Sequence, residues 1–124
     1  MELSIGPFDY RVYMVPNLVD PATGEKLDGG ISFKKQELYL DTSVIHRRRR
    51  TVLLHEYFHA WAYHLGRPDD EETQCDHFAA ACLQFEKSLE PWGGKDALKC
   101  LEVKVDMEGS IPVLKIPRSD WGSQ

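Results

Sequence analysis

Val52-Leu53-Leu54-His55-Glu56-Tyr57-Phe58-His59 is the stretch whose reading decides how the rest of the chain is arranged. Read as an α-helix, it sets two histidines one turn apart, about 5–6 Å at Cβ, so that both imidazoles reach a single cation. Glu56 then lies beside that cation. Imidazole pairs suit Zn²⁺, and a neighbouring carboxylate that does not ligate the metal can serve as the general base of a hydrolase. Two histidines also fall four apart by accident on surface helices, so the pattern calls for a third ligand.

A catalytic zinc takes three protein groups and leaves its fourth position open. After the break at Gly66-Arg67-Pro68, the chain continues as Asp69-Asp70-Glu71-Glu72-Thr73-Gln74-Cys75-Asp76-His77-Phe78-Ala79-Ala80-Ala81-Cys82-Leu83-Gln84-Phe85. Gly66 fits a helix stop, and the acids from Asp69 to Glu72 suit the positive end of a second helix. Capping and dipole stabilisation account for some of these acids. Glu72 and Asp76 are also one turn apart, which lets Glu72 ligate while Asp76 hydrogen-bonds the free ring nitrogen of a ligand histidine. Other histidines fit less well. His64, five residues past His59, points about 140° away around the helix. It also misses the three-histidine spacing, which needs histidine where Leu65 stands. His46 lies more than two turns before His55, and both read as surface or core residues. His77 and Tyr63 are candidates for stabilising an oxyanion at the mouth of the site.

The pairing of an H-E-x-x-H helix with Glu72-Thr73-Gln74-Cys75-Asp76-His77-Phe78-Ala79-Ala80 resembles the ImmA/IrrE family of small metallopeptidase domains. Upstream, Gly29-Gly30-Ile31-Ser32-Phe33 and Glu37-Leu38-Tyr39-Leu40-Asp41 are similar to the strand pair that this family sets before its active-site helix. The resemblance runs from Val12 to Leu83 and is most specific in the two helical motifs. It implies one zinc ion per chain on His55, His59 and Glu72, Glu56 as base, and a thermolysin-like, zincin-type helix arrangement. It also implies a peptide or protein substrate, since members are often encoded beside helix-turn-helix repressors that some of them cleave. Cys75 stands where alanine is commoner, and this chain holds no helix-turn-helix segment, which leaves the substrate open. A His₂Glu set can hold Mn²⁺ as well as Zn²⁺.

At 124 residues the chain is read as one domain, with a core at about 8–90 and a C-terminal extension over 91–124. A net charge of −5 argues against a partner held by general phosphate electrostatics. The residues show neither a signal-peptide pattern nor eighteen consecutive apolar positions, and the odd count of three cysteines gives no disulfide framework. A cytoplasmic location is expected. Cys75 and Cys82 are expected to pack as small apolar residues. Arg47-Arg48-Arg49-Arg50 covers every direction around a helix, so a solvated or acid-paired face is expected rather than a nucleic-acid patch.

The expected class is α+β, with a short antiparallel sheet packed on an active-site helix and a second, ligand-bearing helix. Phe8 to Val15 alternates as a strand, residues 17–30 are turn-rich, and Ile31-Ser32-Phe33 with Leu38-Tyr39-Leu40 forms a tight antiparallel pair. Asp41-Thr42-Ser43 is expected to cap a helix running to Leu65, with Val44, Ile45, Val52, Leu54, Phe58, Trp61 and Leu65 on its apolar side. The second helix spans about 69–90, and Lys95 to Cys100 adds a short helical turn. Leu101 to Asp106 alternates, with Ile111 to Ile116 as a hairpin partner and Ser119 to Gln124 as a tail. A substrate peptide is expected to pair with an exposed sheet edge at Glu37 to Asp41. The readings are thus a zinc endopeptidase, a metal-containing interaction or regulatory module without hydrolysis, or a regulator that works through the arginine run.

Overall fold

Gly6-Pro7 turns the first strand into the second, because Gly6 sits at φ +58°, a conformation that favours glycine. The strands it joins are β1 (Glu2–Ile5) and β2 (Phe8–Val15), followed by β3 (Gly29–Ser32), β4 (Glu37–Asp41), α1 (His46–Leu65) and α2 (Glu71–Leu89). Two 3₁₀ turns, Glu90–Trp92 and Gly94–Lys99, come after α2. The structure, a computed structural model, describes residues 1–66, 69–99 and 101–104. Among these residues no helix is long and apolar enough to cross a membrane.

The architecture is α+β. The sheet has the order β1-β2-β4-β3 and is mixed rather than wholly antiparallel, because β2 and β4 run parallel, with Val12 opposite Leu38. Residues 16–28 carry the chain past the position of β4 to the outside. The tight turn after β3 then brings β4 back between β2 and β3, antiparallel to β3 and parallel to β2. The expected peptide-pairing edge at Glu37 to Asp41 is therefore corrected: β4 is an interior strand with both sides paired.

Alternation along the strands sorts side chains onto two faces. Tyr10, Val12, Met14, Leu38 and Leu40 join the main core with the helices, while Val15, Leu18 and Tyr39 form a smaller one. The core also reaches beyond residues 8–90 at both ends, through Leu3 and Ile5 of β1 and through Ala97 and Leu98. A four-residue strand such as β1 offers too little periodicity to be read ahead of its partner.

α1 begins at His46, later than expected, with Ile45 at its N-cap and no side-chain cap. Asp41 is engaged elsewhere. Its buried carboxylate accepts from the backbone N–H of Leu18 at 2.6 Å and of Ser43 at 2.9 Å, and from the Ser43 hydroxyl, and it meets Lys26 Nζ at 3.3 Å. It thereby ties the long connection to the end of β4. The inward side of α1 is broader than the expected one: Val52, Leu53, Glu56, Tyr57, His59 and Ala60 are buried, Leu54, Phe58 and Trp61 pack partly buried against the core, and Ile45 and Leu65 are exposed. Hydrophobicity alone does not mark Glu56 and His59 as inward positions, because both are ionisable.

Polar side chains fasten the helices to the sheet. Tyr57 donates its hydroxyl to Ser4 O at 2.6 Å, and the Gln84 amide both accepts from Gly6 N at 2.9 Å and donates to Gly6 O at 3.2 Å. α2 begins with Asp70 as its N-cap, accepting from Thr73 N. Cys82 is partly buried, but Cys75 is exposed rather than packed. Over residues 101–104, the described part of the expected strand, the chain forms a parallel bridge, Met14 with Val103. Lys104 Nζ then reaches Glu37 at 2.8 Å, and Tyr39 donates to the same carboxylate at 2.6 Å. Burial opposes ionisation of Glu37, but the Lys104 and Tyr39 hydrogen bonds outweigh it and hold the carboxyl below its usual range. Cys100, Asp106, the segment from Ile111 to Ile116, and Ser119 to Gln124 lie outside the described residues.

Burial likewise opposes ionisation of Asp41, but the hydrogen bonds from Ser43 and Leu18, with Lys26, hold its folded pKa below the ordinary value. Its contribution to stability is therefore complete above the unfolded-state pKa and is lost as pH falls through the folded one. Asp41→Ala is expected to lower the unfolding free energy at neutral pH by about 1–3 kcal/mol, the cost of leaving buried donors without an acceptor. In urea titrations the gap between wild type and variant should narrow below about pH 4.

Candidate metal centre

Leu53, Tyr57 and Ala60, at helical spacing, seat α1 in the main core, which fixes the direction of every other side chain on it. His55 and His59 come together on the neighbouring face. Their Nε2 atoms are 3.2 Å apart, and the rings stand nearly edge to face, 4.8 Å between centroids and 77° between planes. For Zn–N bonds of about 2.0–2.1 Å, a separation of 3.2 Å subtends an angle of about 100–106° at one ion, close to tetrahedral. The pair as it stands therefore fits two corners of a zinc site. His59 is 6% exposed and His55 is half-buried, so the pair sits at the boundary of the core.

Glu56 is 9% exposed and points toward β3. A Cβ built on Gly29 would lie 2.8 Å from Val52 Cγ1, 3.1 Å from Glu56 Cγ and 3.2 Å from Glu56 Oε2. Glycine at position 29 thus lets the outermost strand lie directly on the helix beside the carboxyl group. Gly29-Gly30 reads from sequence only as a turn signal, and the close approach becomes visible once α1 is seated beneath β3. Gly29 and Phe33 are partly exposed at the two ends of the strand, whereas Ile31 and Ser32 between them are buried.

The remaining candidates lie on α2 and in the last turns of α1. Glu72 and Asp76 are exposed on α2, Glu72 in its first turn. Among the described residues no three His, Cys, Asp or Glu side chains gather into a group that could hold a metal ion. The structure thus brings His55 and His59 together and does not bring Glu72 into that group. His77 is half-buried, and its Nδ1 is enclosed with no hydrogen-bond partner among the described residues. Tyr63, one turn beyond His59, is 62% exposed and lies flat on Phe33, with centroids 4.0 Å apart and 6° between planes.

His64 turns the other way. It stacks on Phe8 at 4.1 Å, its Nε2 meets the Tyr10 hydroxyl at 2.5 Å, and burial lowers its pKa. Burial, with a further push from Tyr63, raises the Tyr10 phenol to about 12. His46 is exposed. The arginines diverge around α1 as their spacing requires: Arg48 meets Asp28 at 3.3 Å, Arg50 pairs with Glu86, and Arg49 donates to Leu98 O at 2.7 Å. Comparisons with protein-family models, curated proteins and solved structures found no match.

Gly29→Ala is expected to push β3 off α1 and displace Glu56, at a cost of about 1–3 kcal/mol in unfolding free energy. Chemical denaturation measures the loss. Imidazole NMR resonances of His55 and His59 should shift in the same variant, and unchanged resonances with unchanged stability would mean that β3 does not rest on the helix as described.

Proposed function

We propose that the protein is a zinc-dependent endopeptidase of the ImmA/IrrE type, acting on a peptide bond of a cytoplasmic protein. The observation that carries this reading is the convergence of His55 Nε2 and His59 Nε2 to 3.2 Å beside a carboxyl group held at the sheet boundary. In this reading His55, His59 and Glu72 hold the ion, with Asp76 orienting a ligand imidazole. Bound zinc supplies Lewis acidity, polarising a carbonyl and acidifying water. Glu56 takes a proton from the attacking water and returns it to the amine that leaves. The low exposure of Glu56 favours this role, because it keeps the carboxyl group in a fixed position at the boundary of the core. In this reading substrate reaches the centre along β3 at its partly exposed ends, Gly29 and Phe33, and His77 or Tyr63 would stabilise an oxyanion. A helix-turn-helix repressor encoded nearby is a fitting substrate by resemblance to the family.

A second reading rests on the exposure of Glu72 and Asp76 on α2: an interaction module that uses the His55–His59 pair to bind metal without hydrolysis. Glu56→Gln separates the two, because it keeps the size of the side chain and removes the base. For the peptidase, cleavage of an unfolded protein such as reduced casein should fall by about 10²–10⁴-fold while metal is retained. Equal cleavage by wild type and variant would rule out Glu56 as the base.

A further inference from the structure

We infer that Phe33 and Tyr63 form an aromatic subsite that selects a planar, ring-bearing side chain of the substrate within two residues of the bond that is cut. This deepens the peptidase reading and rests on it. His55, His59 and Tyr63 follow one another at intervals of four along α1 and so line one face of the helix, with Tyr63 one turn, about 5–6 Å, beyond His59. That distance is one to two residues of an extended peptide, which advances about 3.3 Å per residue. The opposing wall belongs to β3. The strand runs alongside α1 from Gly29, which touches Val52 and Glu56, to Phe33 just beyond its end, which touches Tyr63.

The two rings are parallel within 6° and 4.0 Å apart, so each holds the other in place. His64 adds an edge-on contact to Tyr63, with centroids 5.0 Å apart. Tyr63 nevertheless keeps 62% of its surface exposed. A large aromatic side chain braced on one face by Phe33, steadied by His64 and open elsewhere is a pre-ordered surface, and an incoming ring can stack on it at little further cost in side-chain freedom. The core does not need this exposure. Phe33 only packs against the main cluster, and the fully buried aromatic positions are filled by Tyr10, Tyr39, Tyr57 and Phe85.

The test compares zinc-loaded full-length wild type, Tyr63→Ala, Tyr63→Leu and Phe33→Leu on reduced casein, with cleavage sites mapped by mass spectrometry. Paired synthetic peptides carrying Phe or Ala at the preferred position then give the ratio of kcat/KM for Phe over Ala. Wild type is expected to favour Phe, Tyr or Trp at one fixed position within two residues of the cut, and each variant should reduce the Phe/Ala ratio by roughly threefold to tenfold. The ratio cancels any difference in the fraction of folded enzyme, and the leucine variants keep apolar bulk without the ring. Cleavage by wild type with no aromatic preference, or with a preference unchanged in all three variants, would overturn the subsite while leaving the peptidase reading in place. No cleavage by zinc-loaded wild type would overturn both.

Discussion

The seating of α1 under the sheet is the constraint on which the site depends. Leu53, Tyr57 and Ala60 enter the main core, Tyr57 is tied to the backbone of β1, and Gly29 lets β3 come down onto the next turn. Rotating the helix by one position would expose these residues. The same seating leaves Glu56 and His59 inside the boundary of the core, where ionisable groups persist only when they are hydrogen-bonded, paired or coordinated. The side chains of Glu56 and His59 therefore keep fixed places at that boundary, beside His55.

The two halves of the proposed centre differ in how firmly the fold holds them. His55, Glu56 and His59 share one helix, so their relative positions follow from helical geometry and survive small shifts elsewhere. Glu72 and Asp76 stand on α2, for which the described residues include hydrogen bonds of Gln84 with Gly6 and of Ser88 with Ser4, both toward its C-terminal half. Among the described residues Phe58 and Phe78, with ring centroids 5.0 Å apart, form an aromatic contact between the helices in the N-terminal half of α2.

Much of the fold was legible in the sequence because its signals were local. β2 and the β3–β4 pair announced themselves by alternation, and α2 by Asp70 and the acids that follow it. The elements misread are those set by distant partners. Asp41 looks like a helix cap, yet its carboxylate is taken by Leu18 and Lys26, so α1 starts only at His46. β4 looks like an edge, yet the crossover of residues 16–28 puts it inside. The inward side of α1 was legible only in part, because Glu56 and His59 occupy buried positions that hydrophobic patterning assigns to solvent. At the site, the histidine pair was legible from spacing alone. The approach of Gly29 to Glu56 and the stacking of Phe33 on Tyr63 were not, since each joins residues about thirty positions apart.

The central claim is that His55 and His59 hold a catalytic zinc completed by Glu72. Metal content measured by elemental analysis on full-length protein after exhaustive dialysis against zinc-buffered solution tests it most directly. One equivalent of zinc in the wild type, reduced to a small fraction in His59→Ala and in Glu72→Ala while both variants keep the wild-type far-ultraviolet circular dichroism, is the expected result. Wild-type protein without zinc, or variants that retain a full equivalent, would contradict the account.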